Sequence, residues 1–109
     1  MAVKTAQIYR LEWIHISGIR DEDLEYLEQR FRFHQLDIRD CREGVQRPKL
    51  DAYPSYLFMI FHFPTFNQET RRVSAATLNV FVGKNFLITL ASEPDEILDS
   101  YFTRFRNKK

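Results

Sequence analysis

A chain of 109 residues with a formal charge of +1 can build one modest core, and it shows no electrostatic preference for nucleic acid or an anionic membrane. Ten Phe, five Tyr and one Trp supply the large side chains that dominate burial, while three Gly and four Pro argue against low complexity. The lone cysteine, Cys41, excludes an internal disulfide and fits a reducing compartment.

The opening MAVKTAQIYR lacks the apolar core of a signal peptide. From Ile8 to Ile16, apolar Tyr9, Leu11 and Trp13 alternate with Arg10 and Glu12, which predicts a half-buried strand ended by Ser17-Gly18. Asp21 stands where an N-cap would, with Glu22 and Asp23 in a first turn and Leu24, Leu27 and Phe31 on one face. This predicts a helix over roughly 22–33. A second, short helix is expected from Gln35 to Glu43, stopped by Gly44 and excluded beyond Pro48.

A brief strand is predicted at Lys49 to Asp51. The run Tyr56 to Phe63, ended by Pro64, reads as an interior strand buried on both faces; a membrane-spanning helix would need about 20 apolar residues. On this reading the chain by itself is soluble. Thr65 to Arg72 is polar and predicts a loop. Ala76 to Val82 and Phe86 to Ala91, around Gly83-Lys84-Asn85, predict a hairpin. Ser92 and Asp95 have capping-box spacing around Pro94, and Ile97, Leu98, Tyr101, Phe102 and Phe105 form the apolar stripe of a last helix with a basic end. No repeat or linker interrupts the pattern, so the fold class is a single α+β domain: a mixed, largely antiparallel sheet packed with helices as a sandwich.

Few residues carry recognisable chemistry. The chain contains no G-x-S-x-G, glycine-rich phosphate loop, H-E-x-x-H or C-x-x-C, so it is not expected to be an enzyme. His34, Asp37 and Asp40 recur at three-residue spacing and would share one helical face. That set suits Zn2+ or another transition metal better than Mg2+. The plainer readings are a His34 that packs or hydrogen-bonds at the helix start, a Cys41 that acts as a small buried hydrophobe, and an Asp40 that faces solvent or caps a helix. Gln46-Arg47-Pro48-Lys49 reads as a rigid turn, with Pro48 forcing Arg47 into an extended conformation.

In order along the chain stand Trp13-Ile14-His15-Ile16; then Phe31, His34, Leu36 and Asp40; then Gln46-Arg47-Pro48-Lys49; then Tyr53, Tyr56 and Phe58. This succession resembles the amino-terminal cytoplasmic domain of the CorA family of magnesium and cobalt transporters. The resemblance implies part of an inner-membrane homopentamer that moves Mg2+, with Co2+ or Ni2+ as alternatives. The family's Gly-Met-Asn pore signature and two membrane helices do not occur among these residues. The chain as given would therefore serve regulation and conduct no ions, meeting the membrane only through later helices.

By the same resemblance, Asp40 takes the place of an aspartate that holds a regulatory Mg2+ between neighbouring subunits. The partner carboxylate lies further along the chain, so these residues hold half a site. Mg2+ is commonly held by one or two carboxylates with several retained waters. Asp37, one turn earlier, is a second and weaker ligand candidate. Arg39 stands where the family often has another acidic residue, and it is expected to repel Mg2+ or pair with Asp40. A zinc-transporting relative with the same layout, and a stand-alone soluble ligand- or protein-interaction domain of the same fold, are the alternative readings.

Overall fold

A computed structural model describes residues 3–44, 47–93 and 96–107. The elements run β1 (Val3–Ile8), β2 (Leu11–Ser17), α1 (Asp21–Arg30), α2 (Gln35–Glu43), β3 (Lys49–Ala52), β4 (Tyr56–Asn67), β5 (Arg72–Gly83), β6 (Phe86–Ala91) and α3 (Glu96–Arg106). All six strands join one sheet in the order β1-β2-β6-β5-β4-β3. Every pairing is antiparallel except β2 with β6, where Ile14 lies opposite Ile88 in parallel register. The expected mixed, largely antiparallel α+β sandwich is what forms.

Helices cover both faces. On one, Leu24 and Leu27 of α1 and Ile38 and Cys41 of α2 pack with Ile14, Ile16, Phe58, Ile60, Phe81, Ile88 and Leu90. On the other, Phe102 and Phe105 of α3 close over Ala6, Trp13 and Leu87. The α3 side covers only the β1–β2–β6 half of the sheet; Leu50, Leu57 and Phe61, on β3 and β4, are left exposed.

Several boundaries differ from the sequence reading. A whole strand, β1, precedes the expected one and turns into β2 through Tyr9-Arg10, with Tyr9 at φ +55°. Left-handed geometry of this kind usually selects Gly or Asn, so Tyr9 gave no turn signal. The strand β2 is not half-buried: sandwiched between β1 and β6 and covered on both faces, it buries Trp13, Ile14, His15 and Ile16 in succession. The run in β4, predicted to be buried on both faces, alternates instead. Tyr56, Phe58 and Ile60 are buried, while Phe61 opposite Leu78 is 48% exposed because α3 stops short of it.

Pro64 does not end β4. Beyond Ile60 that strand has β5 on one side only, since β3 pairs just from Leu57 to Ile60, and a free edge tolerates a residue without an N–H. The predicted loop therefore shrinks to 68–71, closed by Arg71 at φ +55°. Gly83 ends β5 where any Cβ would collide with the Phe86 ring.

The first helix starts and stops earlier than expected. Arg20, not Asp21, is the extended N-cap, and the Asp23 carboxylate accepts from the Arg20 N–H at 3.0 Å. The helix ends at Arg30, leaving Phe31 extended so that Phe33 can stack on Phe81 at 4.1 Å. The second helix has its predicted limits, with Gly44 at φ +77° closing it. Of the predicted α3 stripe, Phe102 faces the sheet, whereas Ile97 and Tyr101 point outward and are 68% and 56% exposed. The Val45-Gln46 part of the proline turn and the Pro94-Asp95 part of the capping box lie outside the described residues.

Candidate metal centre

The second helix carries both candidate carboxylates, one turn apart, and gives them different surroundings. At its start the His34 backbone is extended, and its Nδ1 accepts from the Leu36 N–H at 3.1 Å. That nitrogen caps the helix. The ring stacks on Tyr53 at 5.8 Å, so His34 has the structural role that the plainer reading gave it.

Asp37 points inward and is buried. Its Oδ2 accepts from the Tyr56 hydroxyl at 2.8 Å and its Oδ1 from the Tyr53 hydroxyl at 3.1 Å. Tyr56 Oη in turn accepts the His34 backbone N–H at 2.9 Å. Burial, reinforced by the Asp37 carboxylate, pushes both phenols above the ordinary tyrosine range. Both Asp37 oxygens thus have hydroxyl donors, one from buried Tyr56 and one from half-buried Tyr53. Cys41 lies beside them as a buried thiol, raised above its ordinary range by burial first and by the charges of Asp37 and Asp40 second. A buried thiol of this kind is inert.

Asp40 faces the rim of the sheet, its side chain 13% exposed. Lys49 Nζ, from the first residue of β3, donates to Asp40 Oδ2 at 2.6 Å and lies 3.1 Å from Asp51 Oδ2. The Asp40 hydrogen bond, with a smaller contribution from Asp51, raises the ammonium above the usual lysine range despite partial burial. Arg39, expected to repel Mg2+ or pair with Asp40, does not make that pair and instead reaches Glu43 at 4.0 Å along the helix surface. Among the described residues no three His, Cys, Asp or Glu side chains converge to hold a metal ion, so His34, Asp37 and Asp40 do not form the transition-metal cluster that their spacing allows.

For Mg2+ the donor chemistry divides cleanly. Asp37 is buried, and each of its oxygens already accepts from a phenol, which suits a hydrated cation poorly. Asp40 and Asp51 offer donors of the kind half a site needs: they are hard oxygens, 13% and 36% exposed, that already share one cation, the Lys49 ammonium.

A second polar cluster escaped the sequence reading. Trp13 Nε1–H donates to Thr89 Oγ1 at 2.9 Å, His15 Nδ1 lies 2.7 Å from the same oxygen, and His15 Nε2 lies 2.9 Å from Asp99 Oδ1. His15 and Thr89 are buried under Phe102. The order Thr–His–Asp resembles a nucleophile triad, yet the Thr89 hydroxyl and the His15 ring are buried. The cluster ties α3 to β2 and β6. The one signal for it is register, which sets His15 opposite Thr89, and that is visible only once the two strands are paired.

Residues 10–109 match the family model described as CorA-like Mg2+ transporter protein. The chain belongs to the CorA family. It is 36% identical over 77 residues to YfjQ of Bacillus subtilis, which carries a provisional description as a metal ion transporter; the match covers 71% of this chain and 23% of that protein. It is 23% identical over 95 residues to the cobalt/magnesium transport protein CorA of Thermotoga maritima, covering 86% of this chain and 27% of that one. The soluble domain of CorA from Methanocaldococcus jannaschii superposes with a TM-score of 0.71 at 22% identity, over 93% of this chain and 39% of that one.

The ZntB cytoplasmic domain from Vibrio parahaemolyticus shares the fold with a TM-score of 0.67 at 13% identity, over 91% of this chain and 42% of that domain. The chain thus spans about a quarter of the length of the full-length relatives it matches. No helix among the described residues is long and apolar enough to cross a membrane.

Proposed function

We propose that these residues form part of the amino-terminal cytoplasmic domain of an inner-membrane divalent-cation transporter, and that the domain senses Mg2+ rather than conducting it or catalysing a reaction. Family membership supplies the transport setting. The observation that carries the sensing role is the Asp40 carboxylate: it sits at the sheet rim, held by a flexible side chain, and is not locked into the core as Asp37 is.

In an oligomer, a pentamer on the family pattern, a neighbouring subunit would complete the site. A divalent cation shared between two subunits stabilises whichever arrangement brings its ligands together, by its difference in affinity for the two states. Its loss would let the subunits move apart. When bound, the ion supplies charge neutralisation and a bridge; Asp40 supplies one oxygen ligand, and Asp51 stands close enough to hold its hydration shell.

Transport is tested by expressing the full-length protein in cells stripped of their own magnesium uptake and measuring growth and Mg2+ entry at low Mg2+. Restored uptake is expected, with Co2+ and Ni2+ as competing cargo. Absence of uptake in cells that contain the protein in their membrane would contradict the reading. The fold shared with ZntB supports a zinc-transporting alternative, and Zn2+ uptake without Mg2+ uptake in the same cells would favour it.

A further inference from the structure

We propose that Lys49 is a tethered cation that competes with the divalent ion for Asp40 and so sets the concentration at which the site fills. This rests on the reading of Asp40 as half of a divalent-cation site. The ammonium occupies the place such an ion would take: 2.6 Å from Asp40 Oδ2 and 3.1 Å from Asp51 Oδ2, so that two carboxylates share a single positive charge carried on their own chain and keep a net negative charge. Lys49 can also be withdrawn. Its side chain is 32% exposed, it begins β3 directly after Pro48, and its four-carbon stem rotates freely compared with the planar fork of an arginine.

The backbone ensures that the lysine always returns. Residue 49 is pinned opposite Ile60 in the sheet, and Asp51, two residues on, projects from the same face of the strand. Asp40 is presented from α2, whose position is fixed by Ile38 and Cys41 in the core. The ammonium is therefore an intramolecular ligand at high effective concentration, and any external cation has to displace it.

Displacement discriminates by charge. Exchanging the ammonium for a monovalent ion gains no electrostatic energy, whereas a divalent ion adds a unit of charge between two carboxylates. The freed lysine then stays near the rim and repels the bound ion, weakening binding further. Asp37, one turn away, has no such competitor because its partners are uncharged hydroxyls.

The test is a Mg2+ titration of protease protection on the full-length transporter, comparing wild type with Lys49→Gln, Lys49→Arg, Arg47→Gln, Asp40→Asn and the Lys49→Gln/Asp40→Asn double variant. Lys49→Gln should lower the Mg2+ midpoint about tenfold, the scale expected for removing one close charge from a partly screened site. Lys49→Arg, which keeps the charge, should stay within about threefold of wild type, as should Arg47→Gln, which removes a nearby charge on an exposed side chain. The double variant should behave as Asp40→Asn alone. A Lys49→Gln midpoint equal to wild type, or a gain that persists in the double variant, overturns the competitor role. If Asp40→Asn itself leaves the midpoint unchanged, the Asp40 reading fails and the proposal falls with it, a result distinct from an unchanged Lys49→Gln beside a shifted Asp40→Asn.

Discussion

Asp37 and Asp40 lie one turn apart on the same helix, and they show how much the partner of a carboxylate decides its use. Asp37 is buried and takes two hydroxyl donors from aromatic rings that are themselves stacked at 4.7 Å. Tyr56, the buried donor, cannot leave without opening the core. Asp40 is held by the end of a lysine that keeps partial exposure. The inner carboxylate is a structural joint between α2 and the Tyr53–Tyr56 turn, whereas the outer one is the carboxylate we propose exchanges its cation.

Breaking the inner joint should have the largest effect. Asp37→Ala takes the acceptor from two phenol hydroxyls, with Tyr56 keeping only its bond from the His34 N–H, which should cost about 3 kcal/mol in a urea or guanidinium unfolding curve. The same change should leave the Mg2+ response of the assembled protein intact wherever it still folds. A cost under about 1 kcal/mol would mean that Asp37 is not the joint described.

Alkaline pH probes the same region. Folding raises the ionisation of Cys41, Tyr53 and Tyr56 above their ordinary values, so the stability they contribute is fully present below the unfolded values. It is lost as pH rises past them, first beyond the unfolded thiol near about 8.5 and then beyond the unfolded phenols near about 10. With the thiol alone, about 2 kcal/mol should be gone by roughly pH 10. Unfolding midpoints at pH 7 and pH 10 should show this fall, with a shallower one in Cys41→Ala; a flat profile would contradict the burial argument.

Smaller again is Tyr56→Phe, which removes one hydroxyl bridging Asp37 and the His34 N–H and should cost about 1.5 kcal/mol. At the other end of the comparison, Asp40→Asn should change stability by no more than about 1 kcal/mol, the upper end for an ion pair whose lysine keeps partial exposure. A loss approaching that of Asp37→Ala would erase the distinction between the two.

Much of this was legible in the residues. The α2 limits followed from Gly44 and Pro48, the β5–β6 hairpin from its β-rich runs around Gly83, and the family from the spaced motif between Trp13 and Phe58. Local signals failed where tertiary position decides. Tyr9 and Arg71 occupy left-handed turns without the usual Gly or Asn, which hid β1 and the full length of the β4–β5 hairpin. Burial of β2 and β4 was misread because periodicity cannot tell how far a covering helix extends across a sheet.

The site was only half legible. The residues suggested Arg39 as a partner for Asp40, whereas Lys49 makes that pair, because adjacency in sequence is a poor guide to which cation reaches a helical carboxylate. Lys49 arrives from a strand that follows a proline turn, nine residues away. His15, Thr89 and Asp99 remained invisible for a similar reason: the chain brings them together from three elements.

The central claim is that Asp40 holds a divalent cation where two subunits meet. Its most direct test is the number of Mn2+ ions bound per protomer of the full-length protein, counted by electron paramagnetic resonance in wild type and in Asp40→Ala. The account predicts that the substitution removes one class of bound ion and leaves the rest unchanged. Equal counts and equal affinities in the two proteins would contradict it.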